Sequence, residues 1–266
     1  MRICLRLNNL RGDDIVRENK EKLLNLYVDN LSQKELLFEA EKRIMGRTPS
    51  QMVFVNVDVA VKADKDEYLR KIINEADFAM VDGMPLVWIS YLYGRPLKEK
   101  VSGSDFVPAL CREAADKGWK IFLLGGAEGV PQRAAANLKK RIPNITICGT
   151  YSPPMQFEKD KEELAKIKRM IAEASPEILI VCFGCPKQEK FIYEHSREYG
   201  ALLSICAGAT VDFLAGTVKR CPRWISSIGM EWFYRFLKEP RRLFKRYFVD
   251  DLRILAMVFK YRSWGE

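Results

Sequence analysis

Short apolar runs rich in β-branched residues alternate along this chain with longer segments of helical period. That alternation is typical of an α/β protein, so we predict a Rossmann-like, largely parallel sheet with flanking helices. The predicted strands are 52–59, 77–81, 120–125, 145–150, 177–184 and 202–208. The predicted helices are 32–46, 64–75, 84–93, 105–117, 130–140, 158–174 and 187–199.

The basic charge of the chain is concentrated at its C-terminal end. Residues 219–262 contain twelve Lys and Arg against four Asp and Glu, a net charge of +8, whereas the whole chain carries +9. This stretch interleaves aromatic and basic residues without strand-like alternation, which favours helices broken near Pro240. We therefore predict an α/β domain over 1–215, with 1–30 as an irregular or helical lead-in, and a basic helical appendage over 216–266.

Length and composition narrow the class of protein. A chain of 266 residues with 48% hydrophobic composition can bury one sizeable core. No apolar run reaches the roughly 18 residues that cross a bilayer, and the first residues lack a secretory signal, so we expect a cytoplasmic protein.

Seven cysteines, an odd number that falls mostly in apolar runs, favour reduced and buried thiols. The motif "CFGC" at 182–185 is compatible with a redox pair or half of a zinc site. A zinc site needs two more ligands, yet the chain has no second C-x-x-C and His195 is its only histidine. Cys182 ends an apolar run, whereas a redox pair places its first cysteine at the start of a helix.

Unusual polar residues and glycines follow almost every predicted strand. Ligands bind at the carboxyl ends of parallel strands, where loops and helix N-termini present backbone N–H groups. The residues at these ends are Asn56, Asp58, Asp82, Gly83, Gly125, Gly126, Gly184, Gln188, Glu189 and Gly208. Their shared position predicts a ligand site along one edge of the sheet.

Two of these motifs have both a binding and a purely structural interpretation. Gly125 and Gly126 allow backbone to approach a nucleotide diphosphate, or they serve only a tight turn from strand to helix. The motif lacks the spacing of a dinucleotide site or a P-loop. Gln188 offers a donor and an acceptor for a sugar or a base, although "PKQE" also supplies ordinary first-turn residues.

Asp82 stands directly after the apolar run "FAMV" and before Gly83. One interpretation is a turn in which the carboxylate accepts a backbone N–H. The other is a general base at the mouth of a nucleotide cleft, which takes the proton from an attacking hydroxyl. Pattern alone leaves both open.

Several motifs in one order resemble the WecG/TagA/CpsF family of glycosyltransferases over residues 50–248. They are "VFVNVDVAV", "DFAMVDGMPLVW", "KEKVSGSDF", "IFLLGGAEGV", "VCFGCPKQEKFI", "CAGATVDFLAGTVKRCPRW" and "GMEWFYRFLKEPRRLFKRY". The resemblance implies transfer of a sugar from a UDP-sugar to an undecaprenyl-diphosphate-linked sugar, with inversion and without a metal ion or other cofactor. It also implies a place in the synthesis of surface polysaccharide or teichoic acid.

The resemblance assigns roles to residues of this chain. It makes Asp82 the catalytic base and places Asn56 and Gln188 in the pocket. We predict as further substrate-binding residues Asp58, Gly83, Lys100, Gly103, Gly125, Gly126 and Glu189. Many family members have threonine where this chain has Phe54, and arginine where it has Lys100, which keeps the charge but not the bidentate fork.

The resemblance also implies that the appendage sits on the membrane and brings arginines over the site. The candidates are Lys219, Arg220, Arg223, Arg235, Arg241 and Arg242, with Arg220 and Arg223 as our predicted substrate contacts. Arginine suits a departing diphosphate. The predicted partners are thus a UDP-sugar, a lipid-linked acceptor and an anionic membrane surface, and not nucleic acid.

Three alternatives stay open at this stage. The basic stretch also fits a solvated helical face or a nucleic-acid-binding module. The strand-end glycines also suit a nucleotide-dependent oxidoreductase, although the G-x-G-x-x-G motif is missing. The sequence leaves a homo-oligomer open and does not specify the donor sugar.

Overall fold

An antiparallel hairpin precedes a six-stranded sheet in the protein. The computed structural model describes residues 20–219, 221–222, 225, 231–238, 240–245 and 250–262. The hairpin consists of β1 (Lys20–Leu23) and β2 (Leu26–Asp29). The sheet consists of β3 (Ser50–Val55), β4 (Phe78–Val81), β5 (Lys120–Gly125), β6 (Thr146–Tyr151), β7 (Ile178–Cys182) and β8 (Leu203–Cys206).

Helices connect these strands and follow the last of them. In chain order the described helices are α1 (Gln33–Met45), α2 (Val57–Lys65), α3 (Glu67–Glu75), α4 (Met84–Leu92), α5 (Gly103–Lys117), α6 (Val130–Arg141), α7 (Lys161–Ala174), α8 (Lys187–Tyr199), α9 (Thr210–Ala215), α10 (Glu231–Lys238), α11 (Pro240–Lys245) and α12 (Arg253–Tyr261). A single 3₁₀ turn, Phe157–Lys159, precedes α7. None of the helices in the described ranges is long and apolar enough to cross a membrane.

The sheet is parallel throughout, in the order β4-β3-β8-β7-β5-β6. Successive residues of β7 alternate between two apolar clusters: Leu179 and Val181 belong to one, and Ile178 and Ile180 to the other. Both faces of the sheet are therefore covered, as in other parallel sheets. The predicted α/β class with a parallel sheet is confirmed.

The helix that follows β8 packs on the opposite face of the sheet from the helices that follow its two neighbours, β3 and β7. The α9 helix, after β8, lies in one apolar cluster, while α2 and α8, after β3 and β7, lie in the other. The chain therefore leaves the carboxyl ends of these three strands in opposite directions, which opens a crevice where open α/β sheets bind ligands.

Local capping determines where several helices begin and end. Ser102 caps α5 by accepting a hydrogen bond from the Asp105 amide, and Gly118 ends it with φ +71°. The C-terminal end agrees with the predicted one, whereas the helix begins two residues earlier than predicted. The α8 helix spans 187–199, as predicted.

Three of the predicted segments differ most from the structure, while several other ends shift by a few residues. Residues 57–59 belong to α2 and not to a strand, because the Asn56 side chain caps the helix there. The predicted helix over 64–75 is two helices, since Asp66 caps a new one at Glu67. Residues 20–29 form a hairpin and not an irregular or helical segment, and residues 1–19 lie outside the described ranges.

Asp29 joins this hairpin to the edge of the sheet. Its Oδ2 atom accepts a hydrogen bond from the Ala79 amide of β4 at 2.6 Å, and its side chain is buried. Burial raises the pKa of Asp29 to about 6, while the Lys20 ammonium opposes this rise. Lys20 also donates to the Ala76 carbonyl at 2.7 Å. The hairpin is thus attached through polar contacts as well as apolar packing.

Candidate active site at the carboxyl ends of the strands

Asn56 and Asp82 directly follow the paired last residues of two neighbouring strands, β3 and β4. The Asp82 amide donates to the Val55 carbonyl at 2.8 Å, which extends the β3–β4 pairing by one residue. Asn56 follows Val55 directly, and its Oδ1 atom accepts a hydrogen bond from the Val59 amide at 3.1 Å. Both side chains are half-buried. The structure therefore places the predicted base beside a predicted pocket residue.

Gly83 provides the turn between β4 and α4. Its φ of +151° is one that residues with a side chain rarely adopt, so glycine is needed here. Gly83 is the N-cap of α4, no side-chain cap closes that end, and a proline lies in the first turn. The turn leaves Asp82 half-buried at the carboxyl end of the strand.

Asp58 and Lys62 form a second polar group on α2. The Lys62 Nζ atom is 2.9 Å from Asp58 Oδ2 and donates to the Cys185 carbonyl at 3.2 Å. Asp58 thus lies in the first turn of a helix, not in a strand. Lys62 was not predicted as a site residue, although its spacing of four residues from Asp58 was a signal for this pair.

Lys100 lies beside the end of β4. The Val101 amide donates to the Val81 carbonyl at 2.9 Å. Lys100 precedes Val101 and Asp82 follows Val81, so this hydrogen bond places Lys100 near Asp82. The Lys100 Nζ atom is 3.8 Å from Glu231 of α10 and 4.0 Å from Asp105. Lys100 therefore links the edge of the sheet to the appendage, a contact that the sequence pattern did not reveal.

Gly103 and the pair Gly125–Gly126 are placed for close packing. A Cβ on Gly103 would lie 3.1 Å from the Phe54 ring, and Gly103 is buried. A Cβ on Gly125 would lie 2.5 Å from the Cys182 carbonyl oxygen, and one on Gly126 would lie 2.9 Å from Val211. Packing against β7 and α9 is therefore sufficient to require both glycines, and their binding role stays a prediction.

The Gln188 side chain links the loop after β7 to the loop after β8 by hydrogen bonds. Its Oε1 atom accepts from the Gly184 amide at 3.2 Å and from the Gly208 amide at 3.1 Å, and its Nε2 atom donates to Glu189 at 2.8 Å. Gln188 is 5% exposed and Glu189 is 1% exposed. The structure directs these side chains to protein partners; their predicted contact with substrate stays a prediction.

The described cysteines are free thiols, as predicted, and those of "CFGC" are poorly suited to redox chemistry. Burial raises the pKa of Cys182 to about 12 and moves the pKa of Cys185 upward, so neither thiol forms a thiolate readily. Among the described residues, no group of three or more His, Cys, Asp or Glu side chains is placed to hold a metal ion.

The appendage contacts the α/β domain next to this edge. The α10 and α11 helices meet at the predicted break near Pro240, and α12 buries Met257 and Val258 in the apolar cluster that includes α2. The Tyr261 hydroxyl donates to Asp64 at 2.6 Å. Arg220 and Arg223 lie outside the described residues, and so do the side chains of Arg235 and Arg242; Lys219 and Arg241 are exposed.

A parallel α/β sheet with polar side chains and glycines at the carboxyl ends of its strands is typical of enzymes that bind nucleotides and related ligands. The family model of the WecG/TagA/CpsF glycosyl transferases matches residues 21–266. The chain belongs to this family, and the predicted resemblance is confirmed.

The chain is also similar to two bacterial proteins that have the same name. The chain is 33% identical over 188 residues to the N-acetylglucosaminyldiphosphoundecaprenol N-acetyl-beta-D-mannosaminyltransferase of Bacillus subtilis (strain 168), a match that covers 71% of each chain. It is 30% identical over 191 residues to the protein of the same name in Bacillus spizizenii (strain ATCC 23059 / NRRL B-14472 / W23), with 72% of each chain covered. The protein is a glycosyltransferase.

Proposed function

We propose that this enzyme transfers N-acetylmannosamine or a similar sugar from a UDP-sugar to N-acetylglucosaminyl-diphosphoundecaprenol. The names of the two relatives support this acceptor and this sugar. The observation that carries the proposal is the position of Asp82, a half-buried carboxylate at the carboxyl end of β4, next to Asn56 and Lys100. Teichoic acid or a related surface polymer is the matching product.

Asp82 acts as the general base in this proposal. Its carboxylate takes the proton of the acceptor hydroxyl while that oxygen attacks the anomeric carbon of the donor sugar. The bond from the anomeric carbon to the UDP oxygen breaks on the opposite side, so the configuration inverts and UDP leaves. Each turnover therefore yields the extended lipid-linked glycan, UDP and one proton.

Cationic side chains offset the charge of the departing diphosphate in this mechanism, without a metal ion. Lys100 lies at the correct edge of the sheet and is paired with Glu231 of the appendage. Arg220 and Arg223, which follow α9 in the sequence and lie outside the described residues, are proposed as further cations, since arginine binds phosphate through two parallel hydrogen bonds.

The appendage is also proposed to hold the enzyme on the inner face of the cell membrane. On α12 the side chains of Leu252, Leu255 and Phe259 are exposed, beside the exposed basic residues Arg253 and Lys260. Neighbouring α4, linked to α12 by the hydrogen bond from Tyr93 to the Val258 carbonyl, exposes Trp88, Tyr91 and Leu92. Exposed apolar and aromatic side chains with flanking basic charge are typical of interfacial helices.

The deciding experiment is a screen of UDP-sugars against a short-chain N-acetylglucosaminyl-diphosphate lipid, with UDP release and product mass as readouts. The screen includes UDP-N-acetylmannosamine, its uronic acid, UDP-glucose and UDP-galactose, each with and without EDTA. A product heavier by one N-acetylhexosamine, formed equally in EDTA, is expected. Absence of product from every donor would refute the proposed reaction, and loss of product in EDTA would refute its metal independence.

A further inference from the structure

A buried polar cluster lies behind the strand-end loops, between α8 and the sheet. Glutamate is rarely buried, yet Glu189 is only 1% exposed. Its Oε1 atom accepts the hydrogen bond from Gln188, and its Oε2 atom has no hydrogen-bond partner within the described part of the chain. Its backbone carbonyl accepts from the Gln51 side chain of β3 at 3.3 Å. Burying a carboxyl group in this way lowers the stability of the fold, so the cluster calls for an explanation.

The hydrogen bond from Gln188 to Glu189 determines how the Gln188 amide is oriented. With the oxygen toward the loops, Gln188 accepts from the two glycine amides, Gly184 and Gly208. Rotating the amide by half a turn would place its NH₂ group against these two N–H donors and leave all of them unsatisfied. In the first orientation the NH₂ group of Gln188 also has its acceptor, because it donates to Glu189 Oε1.

We propose that Glu189 is a positioning residue that holds the Gln188 side chain so that it ties the loop after β7 to the loop after β8. Both loops follow neighbouring strands at the same edge of the sheet as Asp82, and each contains a glycine with positive φ, +77° at Gly184 and +55° at Gly208. Glycine loops are intrinsically adaptable, so a fixed geometry needs a restraint of this kind. The expected effect on turnover rests on the function proposed above. The role of Glu189 in holding the loops does not.

The surroundings of Glu189 favour its uncharged form. Burial raises its pKa, while the hydrogen bonds from Gln188 and Cys185 and the ammonium of Lys62 oppose this rise. The other titratable groups that face the cluster are Asp58, Cys185 and Cys206, and burial moves the pKa of both thiols upward as well. The carboxyl group accepts from Gln188 in either protonation state, so its positioning role does not depend on its charge.

Hydrogen exchange of the two loops tests the inference without any substrate. In Glu189→Leu, which removes the acceptor but keeps an apolar side chain of similar size, the Gly184 and Gly208 amides should exchange about tenfold faster or more, as expected for loss of a buried hydrogen bond. In Glu189→Gln, an uncharged acceptor of the same shape, exchange should stay as in the wild type. Glu198→Gln, an exposed glutamate on the same helix, is the control.

Turnover provides the second readout. Glu189→Leu should lower kcat about tenfold with the thermal transition retained, and Glu189→Gln should restore it. A folded Glu189→Leu protein with unchanged exchange at both glycines would overturn the inference, and so would a Glu189→Gln protein as impaired as Glu189→Leu. If exchange behaves as expected but the wild type forms no glycoside, the proposed function fails and the positioning role stands.

The conservative variant covers the case in which Glu189→Leu does not fold. Exchange at Gly184 and Gly208 is then compared between the wild type and Glu189→Gln at matched pH, and it should be the same in both. Markedly faster exchange of the two amides in a folded Glu189→Gln protein would overturn the inference.

Discussion

The strands of the sheet domain bury their apolar side chains, whereas several apolar side chains of the C-terminal appendage are exposed. Every residue of β7 is buried, and its alternating side chains fill two internal clusters. In the appendage, Leu255 and Phe259 of α12 are 57% and 74% exposed, and Leu237 of α10 is 62% exposed. The sheet domain is therefore stabilised by its own core, whereas the appendage keeps apolar area that another surface can cover.

We expect the two regions to contribute to function in different ways, the strand-end edge to turnover and the appendage to surface binding. Residues of the strand-end edge act through fixed geometry, so changes there should alter turnover or folding. Residues on the exposed face of α12 make few internal contacts, so changes there should alter only the interaction with a surface. The experiments below test this separation, from the largest expected effect to the smallest.

Asp82→Asn should produce the largest change. Loss of a general base typically costs 10² to 10⁴ in rate, and asparagine keeps the shape of the side chain, so glycosyl transfer should fall by about this factor with thermal stability retained. Turnover per enzyme, measured as UDP release, checks this. Asp116→Asn, on the exposed surface of α5, serves as the control. A variant at position 82 with near-normal turnover would refute the role of Asp82 as base.

Gly125→Ala should be the most destabilising change at the edge. The new Cβ would lie 2.5 Å from the Cys182 carbonyl oxygen, at a residue with φ +105°. We expect a loss of about 3 kcal/mol or more in the free energy of unfolding, measured in urea.

Gly118→Ala is the matched control for this glycine. Its φ is +71°, but a Cβ there would meet no atom within 4 Å, so only the backbone penalty of about 1 kcal/mol applies. Equal losses for the two variants would show that backbone conformation, and not close packing against β7, explains the need for Gly125.

Two substitutions on α12 should separate surface binding from stability. Leu255→Ser combined with Phe259→Ser removes exposed apolar area, so binding to anionic vesicles should weaken about tenfold or more while the thermal transition stays the same. Met257→Ala changes a side chain that is buried in the core cluster, so it should cost about 2 kcal/mol or more of stability. Vesicle co-sedimentation and urea unfolding measure the two effects. Unchanged sedimentation of the double variant would exclude this face of α12 as the membrane contact.

Asp29 should give the smallest effect, visible in the pH dependence of stability. Its pKa is about 6 in the folded protein and about 4 in the unfolded chain, so the folded state binds the proton more tightly. The free energy of unfolding should therefore fall as pH rises from about 4 to about 6, by an amount on the order of 2 kcal/mol, and then level off.

Asp29→Asn keeps an acceptor for the Ala79 amide but cannot ionise. The difference between the unfolding free energies of the wild type and this variant should decrease through the same pH window, because the other titrating groups cancel. Urea unfolding at several pH values measures this difference. A difference that stays flat or increases from about pH 4 to about pH 6 would contradict the assignment.

Much of the sheet domain could be predicted from local sequence. The strand at 120–125 and the helix at 187–199 have the predicted bounds, because apolar period and clear end signals agree there. The strand predicted over 52–59 ended too late because "NVDVAV" is apolar and β-branched, yet the Asn56 side chain caps a helix. The hairpin at 20–29 was missed because its polar strands have no strong alternation and depend on contacts with β4.

The candidate site could be predicted only in part. Local sequence identified which residues follow the strands, including Asp82, Asn56 and Gln188. It could not indicate that both hydrogen-bonding groups of Gln188 are used within the protein, because Gly184 and Gly208 come from two different strand ends. The contacts of Lys62 with the Cys185 carbonyl and of Glu231 with Lys100 were missed for the same reason, since each joins residues far apart in the chain.

The sequence by itself determined the α/β class, the family, and the residues that end each strand, because these depend on short-range pattern and motif order. The tertiary structure alone decided the strand order, which brings β3, β7 and β8 together, and the partners of the buried side chains. These depend on contacts between residues far apart in the chain, where burial makes each unsatisfied polar group costly and so selects one arrangement.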